Sequence, residues 1–145
     1  MRMLIKIVCF IALAVIVTTG CKTHKDIFAE PVKELNAQWR LQTVLRNGTD
    51  ITEYVDSAGF RLTLSTDSTY TLLGNNIPFL VNGSGRWSAD DPQFPYHLTF
   101  TPADSTHGFA GNVATPVSKG NRRLDITFSP GCRQNTYVYS FEKMN

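Results

Sequence analysis

Histidine, cysteine and paired carboxylates are the side chains from which most protein chemistry is assembled, and in this sequence they stand apart from one another. His24 lies in a polar stretch, His97 on the polar side of an alternating segment and His107 beside Gly108, with no H-x-H or H-x₃-H spacing and no cysteine partner. A zinc site is therefore not expected. Asp90-Asp91 precedes Pro92 with no EF-hand-like spacing after it, so it reads as a solvated turn and not as half of an oxygen-ligand site. Cys132 follows Gly131 without a Cys-His-Asn arrangement nearby, which makes it a small residue at a strand entrance more readily than a nucleophile. Glycoside hydrolysis would need two inward carboxylates on separate strands, yet the acids sit in turns or on polar positions such as Asp125. Gly83-Ser84-Gly85 is not followed by a helix that would turn it into a phosphate cradle. No catalytic residue, metal or cofactor is expected, and the chain does not read as an enzyme.

What the sequence does supply is aromatic surface. Of its 9 Phe, 5 Tyr and 2 Trp, all but Phe10 come after residue 20. Trp39, Phe60, Tyr70, Trp87, Tyr96, Phe100, Phe128, Tyr137, Tyr139 and Phe141 fall on faces that would turn inward. The plain expectation is a side-chain-filled core. The sharper one is a mouth holding a small apolar ligand, lined by Trp39, Tyr70, Trp87, Tyr96, Tyr137 and Tyr139, with the tyrosine hydroxyls orienting it.

The elements that would position these residues begin after a distinct leader. Residues 1–20 contain Arg2, Lys6 and no acid, and an uncharged run from Ile7 to Val17. Eleven strongly apolar residues are too short for a membrane span and suit a signal peptide. Val17-Thr18-Thr19-Gly20-Cys21 resembles the lipobox of bacterial lipoproteins. That resemblance implies cleavage before Cys21, acylation of its sulfur, and a membrane-anchored chain; Lys22 in place of Asp implies the outer membrane of the cell envelope. With Cys21 acylated and Cys9 removed, Cys132 has no disulfide partner. The 14 Lys+Arg of the full chain fall to 12 after the leader, equal to the 12 Asp+Glu, so a nucleic-acid partner is not expected. The expected organisation is a signal peptide over 1–20, a lipidated tether over 21–35, and one β domain over 36–145.

That domain announces itself by period-two alternation, which a half-buried strand requires. Trp39, Leu41, Thr43 and Leu45 alternate with polar residues and Val44; the same pattern recurs at Phe60 to Ser65, Thr69 to Leu72, Tyr96 to Thr101, Leu124 to Ser129 and Tyr137 to Glu142. Asn47-Gly48, Asp67-Ser68, Asn82-Gly83 and Pro130-Gly131 supply turns. Gly74 to Gly83 and Thr101 to Asn121 read as long loops suited to an outer contact with another protein. The expected class is all-β: an antiparallel barrel or strongly curled sheet of about six to nine strands, with closure favoured because it removes exposed edges.

Leu35-Asn36-Ala37-Gln38-Trp39-Arg40-Leu41, Phe60-Arg61-Leu62-Thr63-Leu64, Asp67-Ser68-Thr69-Tyr70 and Gly85-Arg86-Trp87 resemble the lipocalin-like lipoproteins common in Bacteroidota. The resemblance implies a calycin-type barrel closed at one end by the first Trp. It points to a non-enzymatic role in binding a small apolar ligand or partner, or in serving as an accessory subunit of an outer-membrane complex with a filled barrel. Asp56-Ser57-Ala58, Asp67-Ser68-Thr69 and Asp104-Ser105-Thr106 resemble O-glycosylation sites of the same organisms, implying Ser57, Ser68 and Ser105 as acceptors.

Overall fold

The computed structural model describes residues 31–74, 77–131 and 134–144. The leader, Cys21, His24, the tether before Pro31 and Cys132 lie outside the described residues.

The described chain forms strands β1 (Ala37–Arg46), β2 (Thr49–Asp50), β3 (Arg61–Leu64), β4 (Thr69–Leu73), β5 (Ser84–Ala89), β6 (His97–Pro102), β7 (Phe109–Ala114), β8 (Val117–Ser118), β9 (Asn121–Phe128) and β10 (Tyr137–Lys143), with one 3₁₀ turn at Thr52–Tyr54. Eight of them pair antiparallel in the order β1-β3-β4-β5-β6-β7-β9-β10, and β10 returns to β1, closing an up-and-down barrel. The short β2 and β8 extend β1 and β9 beyond it. This is the all-β antiparallel barrel that the alternation implies, and its topology is consistent with a lipocalin-like barrel.

Inward residues form one apolar core that includes Trp39, Leu62, Leu98, Phe100, Leu124, Ile126, Tyr139 and Phe141, and no polar or charged residue among those described is fully buried. Three departures from simple alternation have physical causes. In β1 the pairing with β10 shifts between Leu41 and Thr43, so a bulge puts Val44 inside in place of Thr43 and Leu45. Within Thr101 to Asn121, residues 109–114 are not loop but barrel strand β7. Its inward position Gly111 bears no apolar side chain, because a Cβ there would lie 2.8 Å from both Leu80 Cδ1 and Ile126 Cγ2. Gly74 to Gly83, expected outside, instead sends Ile77 and Val81 into the core, with Phe79 and Leu80 packed against it.

Candidate functional site

The interior is organised around a side chain that no strand carries. The Phe79 ring sits 5.2 Å from Tyr139, 5.6 Å from Phe60 and Phe128, and 6.1 Å from Phe100 and Phe141, all edge-on. Edge-to-face contacts of this kind are the favoured aromatic geometry. The five surrounding rings come from the approach to β3 and from β6, β9 and β10, so the β4–β5 connection closes a cage built by the barrel wall. The Tyr139 hydroxyl donates to the Pro78 carbonyl, fixing the connection's backbone as well as its ring. Burial, with Tyr137 beside it, holds the Tyr139 phenol above the ordinary tyrosine range.

The six aromatic residues expected to line a ligand mouth divide into three groups. Trp39, Tyr70 and Tyr139 are fully buried. Trp39 donates from Nε1 to the Leu35 carbonyl at 2.9 Å, tying the segment before β1 across one end of the barrel. Tyr70 stands edge-on to Phe100 at 5.2 Å, and its hydroxyl has no hydrogen-bond partner among the described residues. Burial raises the Tyr70 phenol, with a contribution from Asp104. Trp87 and Tyr137 are half-buried. Trp87 Nε1 donates to the Ser65 carbonyl at 3.2 Å, while Tyr137 stacks on Phe128 at 5.8 Å and lies under the Arg46 guanidinium. Tyr96 does not join them: it precedes β6 at the barrel end and is 71% exposed. The cage thus gathers Tyr139 with Tyr137 at its edge, and leaves Trp39, Trp87 and Tyr96 at one end.

Phe79 lies between turn signals, which hides it from the strand periodicity that marks the other rings. The apolar run Ile77-Pro78-Phe79-Leu80-Val81 marks it in the sequence, since a solvated loop has no use for four large apolar side chains in five residues.

Elsewhere the polar groups build turns. Asp90 accepts hydrogen bonds from the backbone N–H groups of Asp91, Tyr96 and His97 at 2.9–3.0 Å and pairs with His97 Nδ1 at 2.8 Å. Those contacts, His97's first, hold its carboxyl far below the ordinary range. Among the described residues no three His, Cys, Asp or Glu side chains gather as a metal site would require. Ser57 and Ser105 are half-buried, and the Ser105 hydroxyl is engaged with the His107 backbone; Ser68 is exposed at a hairpin tip with φ +64.

The family described as "Domain of unknown function (DUF5004)" matches residues 19–142, which span the described barrel up to Glu142, one residue short of the end of β10. The chain belongs to the DUF5004 family. No curated protein and no solved structure matches it. For this DUF5004 barrel, then, the cage around Phe79 is the feature from which a function can be argued.

Proposed function

We propose that this DUF5004 protein is a lipid-anchored, lipocalin-like lipoprotein of the cell envelope. It is held to the outer membrane through acylated Cys21, and it acts by binding a small apolar ligand, not by catalysis. The observation behind the ligand is the cage: five rings from the barrel wall enclose an aromatic side chain delivered by a connection. A strand-borne occupant could leave only by breaking the barrel ladder. Phe79, carried between Gly74 and Gly83, both at positive φ, can be displaced while the strands keep their pairing. A flat apolar ligand of about one ring would take its place.

Titration with indole and with the dye ANS tests this. Wild type is expected to bind saturably, Phe79→Ala to bind indole about tenfold more tightly because the cage is already vacant, and Tyr137→Ala to bind less well. Phe79→Leu, which retains most of the packed volume, checks that folding is intact. Absence of saturable binding in both wild type and Phe79→Ala would sink the reading.

The filled interior also favours a second reading, an accessory subunit of an envelope complex whose barrel takes no ligand. Purification of the native protein from detergent-solubilised membranes separates the two: the first returns a co-purified small molecule, the second a stoichiometric protein partner.

A further inference from the structure

The strand directions place both termini of the described chain, the hairpin at 65–68, the connection at 90–96 and the turn at 115–120 at one end of the barrel. Eight large apolar side chains lie exposed among the described residues, and five of them belong to this end: Val32, Phe94, Tyr96, Val117 and Met144. Tyr54, Leu73 and Phe109 belong to the other.

Contacts join the segments that carry them. Lys33 N–H donates to the Pro92 carbonyl at 2.8 Å and its ammonium lies 5.9 Å from the Phe94 ring centre, which seats the segment bearing Val32 beside the 90–96 connection. Val113 N–H donates to the Tyr96 carbonyl at 2.7 Å, joining that connection to the end of β7. Val117 pairs with Arg122, and Arg122, Lys143 and Met144 line one cleft of about 360 Å³.

The exposure is held in place. Asp91 accepts from the Gln93 and Phe94 amides at 2.7 and 3.0 Å, and Asp90 from the Tyr96 amide at 2.9 Å, so two carboxylates pin the backbone that presents both aromatic rings to water.

We propose that this end of the barrel rests on the lipid surface to which the chain is anchored, inserting Val32, Phe94, Tyr96, Val117 and Met144 among the headgroups. The inference rests on the lipoprotein reading above. The occupant follows from where the described chain begins: nine residues lie between Cys21 and Pro31, and the ten residue-to-residue steps reach at most roughly 36 Å when fully extended. The end that bears Pro31 is therefore confined to the neighbourhood of the anchor. Confinement turns docking into an intramolecular event, so a contact too weak to recruit the protein from solution suffices to orient it. Tyr96, a ring with a polar tip, suits the headgroup layer, where one side is apolar and the other wet. Lys33, Arg40, Arg86, Lys119, Arg122, Arg123 and Lys143 stand at this end with Glu34, Asp67, Asp90, Asp91 and Glu142, so apolar insertion drives docking with a modest, salt-sensitive contribution from charge.

The test uses the mature lipidated protein in vesicles of phosphatidylethanolamine and phosphatidylglycerol, with and without bromine on the acyl chains. Both tryptophans report on this end: Trp39 pairs with Lys143, and Trp87 N–H donates to the Ser68 carbonyl at 2.9 Å. Brominated vesicles are expected to quench their fluorescence. The combined variant Phe94→Ser, Tyr96→Ser, Val117→Ser is expected to lose the quenching while still floating with the vesicles, and Tyr54→Ser, Leu73→Ser, Phe109→Ser to keep it. Quenching that survives the first variant, or is absent in a wild type that floats, overturns the docking alone. Absence of quenching together with a dimer in solution assigns the face to a second copy and also overturns it. Absence of the acyl mass on Cys21 overturns the lipoprotein reading and the docking with it.

Discussion

At the scale of single residues, two positions in the wall make opposite predictions about what an unusual side chain is for. Gly85 pairs directly with Tyr70, and a Cβ on it would collide with the Thr101 carbonyl oxygen and stand 2.8 Å from Pro102 Cα and 2.9 Å from the Tyr70 ring. The first two obstacles are backbone and cannot rotate away. Gly85→Ala is therefore expected to cost about 1–3 kcal/mol, the usual range for overpacking, measured by denaturant unfolding; a neutral substitution would show that β5 and β6 can separate freely. Tyr70 is the reverse case. Its hydroxyl is buried without a partner among the described residues, so it carries a desolvation cost and returns nothing to stability. Tyr70→Phe is expected to leave stability unchanged or raise it by up to about 1 kcal/mol. A clear loss would show that the hydroxyl is hydrogen-bonded in solution.

At the scale of elements, the turns are held by aspartates, and that makes the fold sensitive to acid. Asp67 accepts from Thr69 Oγ1 at 2.6 Å and Thr69 N at 3.0 Å, shaping the hairpin between β3 and β4, and these bonds lower its pKa from 3.8. Asp90 does the same for the turn between β5 and β6 and is lowered further. A carboxyl whose folded pKa lies below its unfolded value contributes stability that is present above the unfolded value and is lost as pH falls through the folded one. The thermal midpoint is therefore expected to fall as pH drops below about 4. Asp90→Asn should flatten that decline and lower the midpoint at neutral pH; a variant with an unchanged acid profile would show that the turn does not depend on the charge.

The same elements show what could be read from the residues alone. Alternation located β3, β4, β6, β9 and β10 because their inward positions carry large apolar side chains. It failed at β7, whose inward Gly111 yields its room to Leu80 from another part of the chain, and it lost phase in β1 at the bulge after Leu41. A bulge leaves no local composition mark, and a glycine opposite a long-range partner resembles a loop. The cage was half legible for the same reason. Its walls lie on strands, whereas Phe79 enters from a connection that only tertiary packing could place.

At the scale of the whole molecule, the barrel is closed but not uniformly sealed. β1 and β10 align seven residue pairs, while β4 and β5 align three, Thr69 with Arg86, Tyr70 with Gly85 and Thr71 with Ser84. Cooperative opening begins where the ladder is shortest, so local unfolding is expected at β7–β9, which also aligns only three pairs, and at the β4–β5 seam. The connection across that seam is the one that carries Phe79, whose ring contacts reach β6 beside the seam and β9 and β10 on the far wall. Packing inside the cage thus ties the weak seam to the strong side. Native-state hydrogen exchange should show the amides of Thr69–Leu73 and Ser84–Ala89 opening at lower free energy than those of Ala37–Arg46 and Tyr137–Lys143. Phe79→Ala should widen the gap, because removing the ring costs about 3 kcal/mol of packing that acts first on the seam it bridges. A uniform acceleration across all strands would mean that Phe79 is ordinary core, fastened as firmly as the strand residues around it. Its displacement would then require global unfolding, and an interior ligand would have no route in.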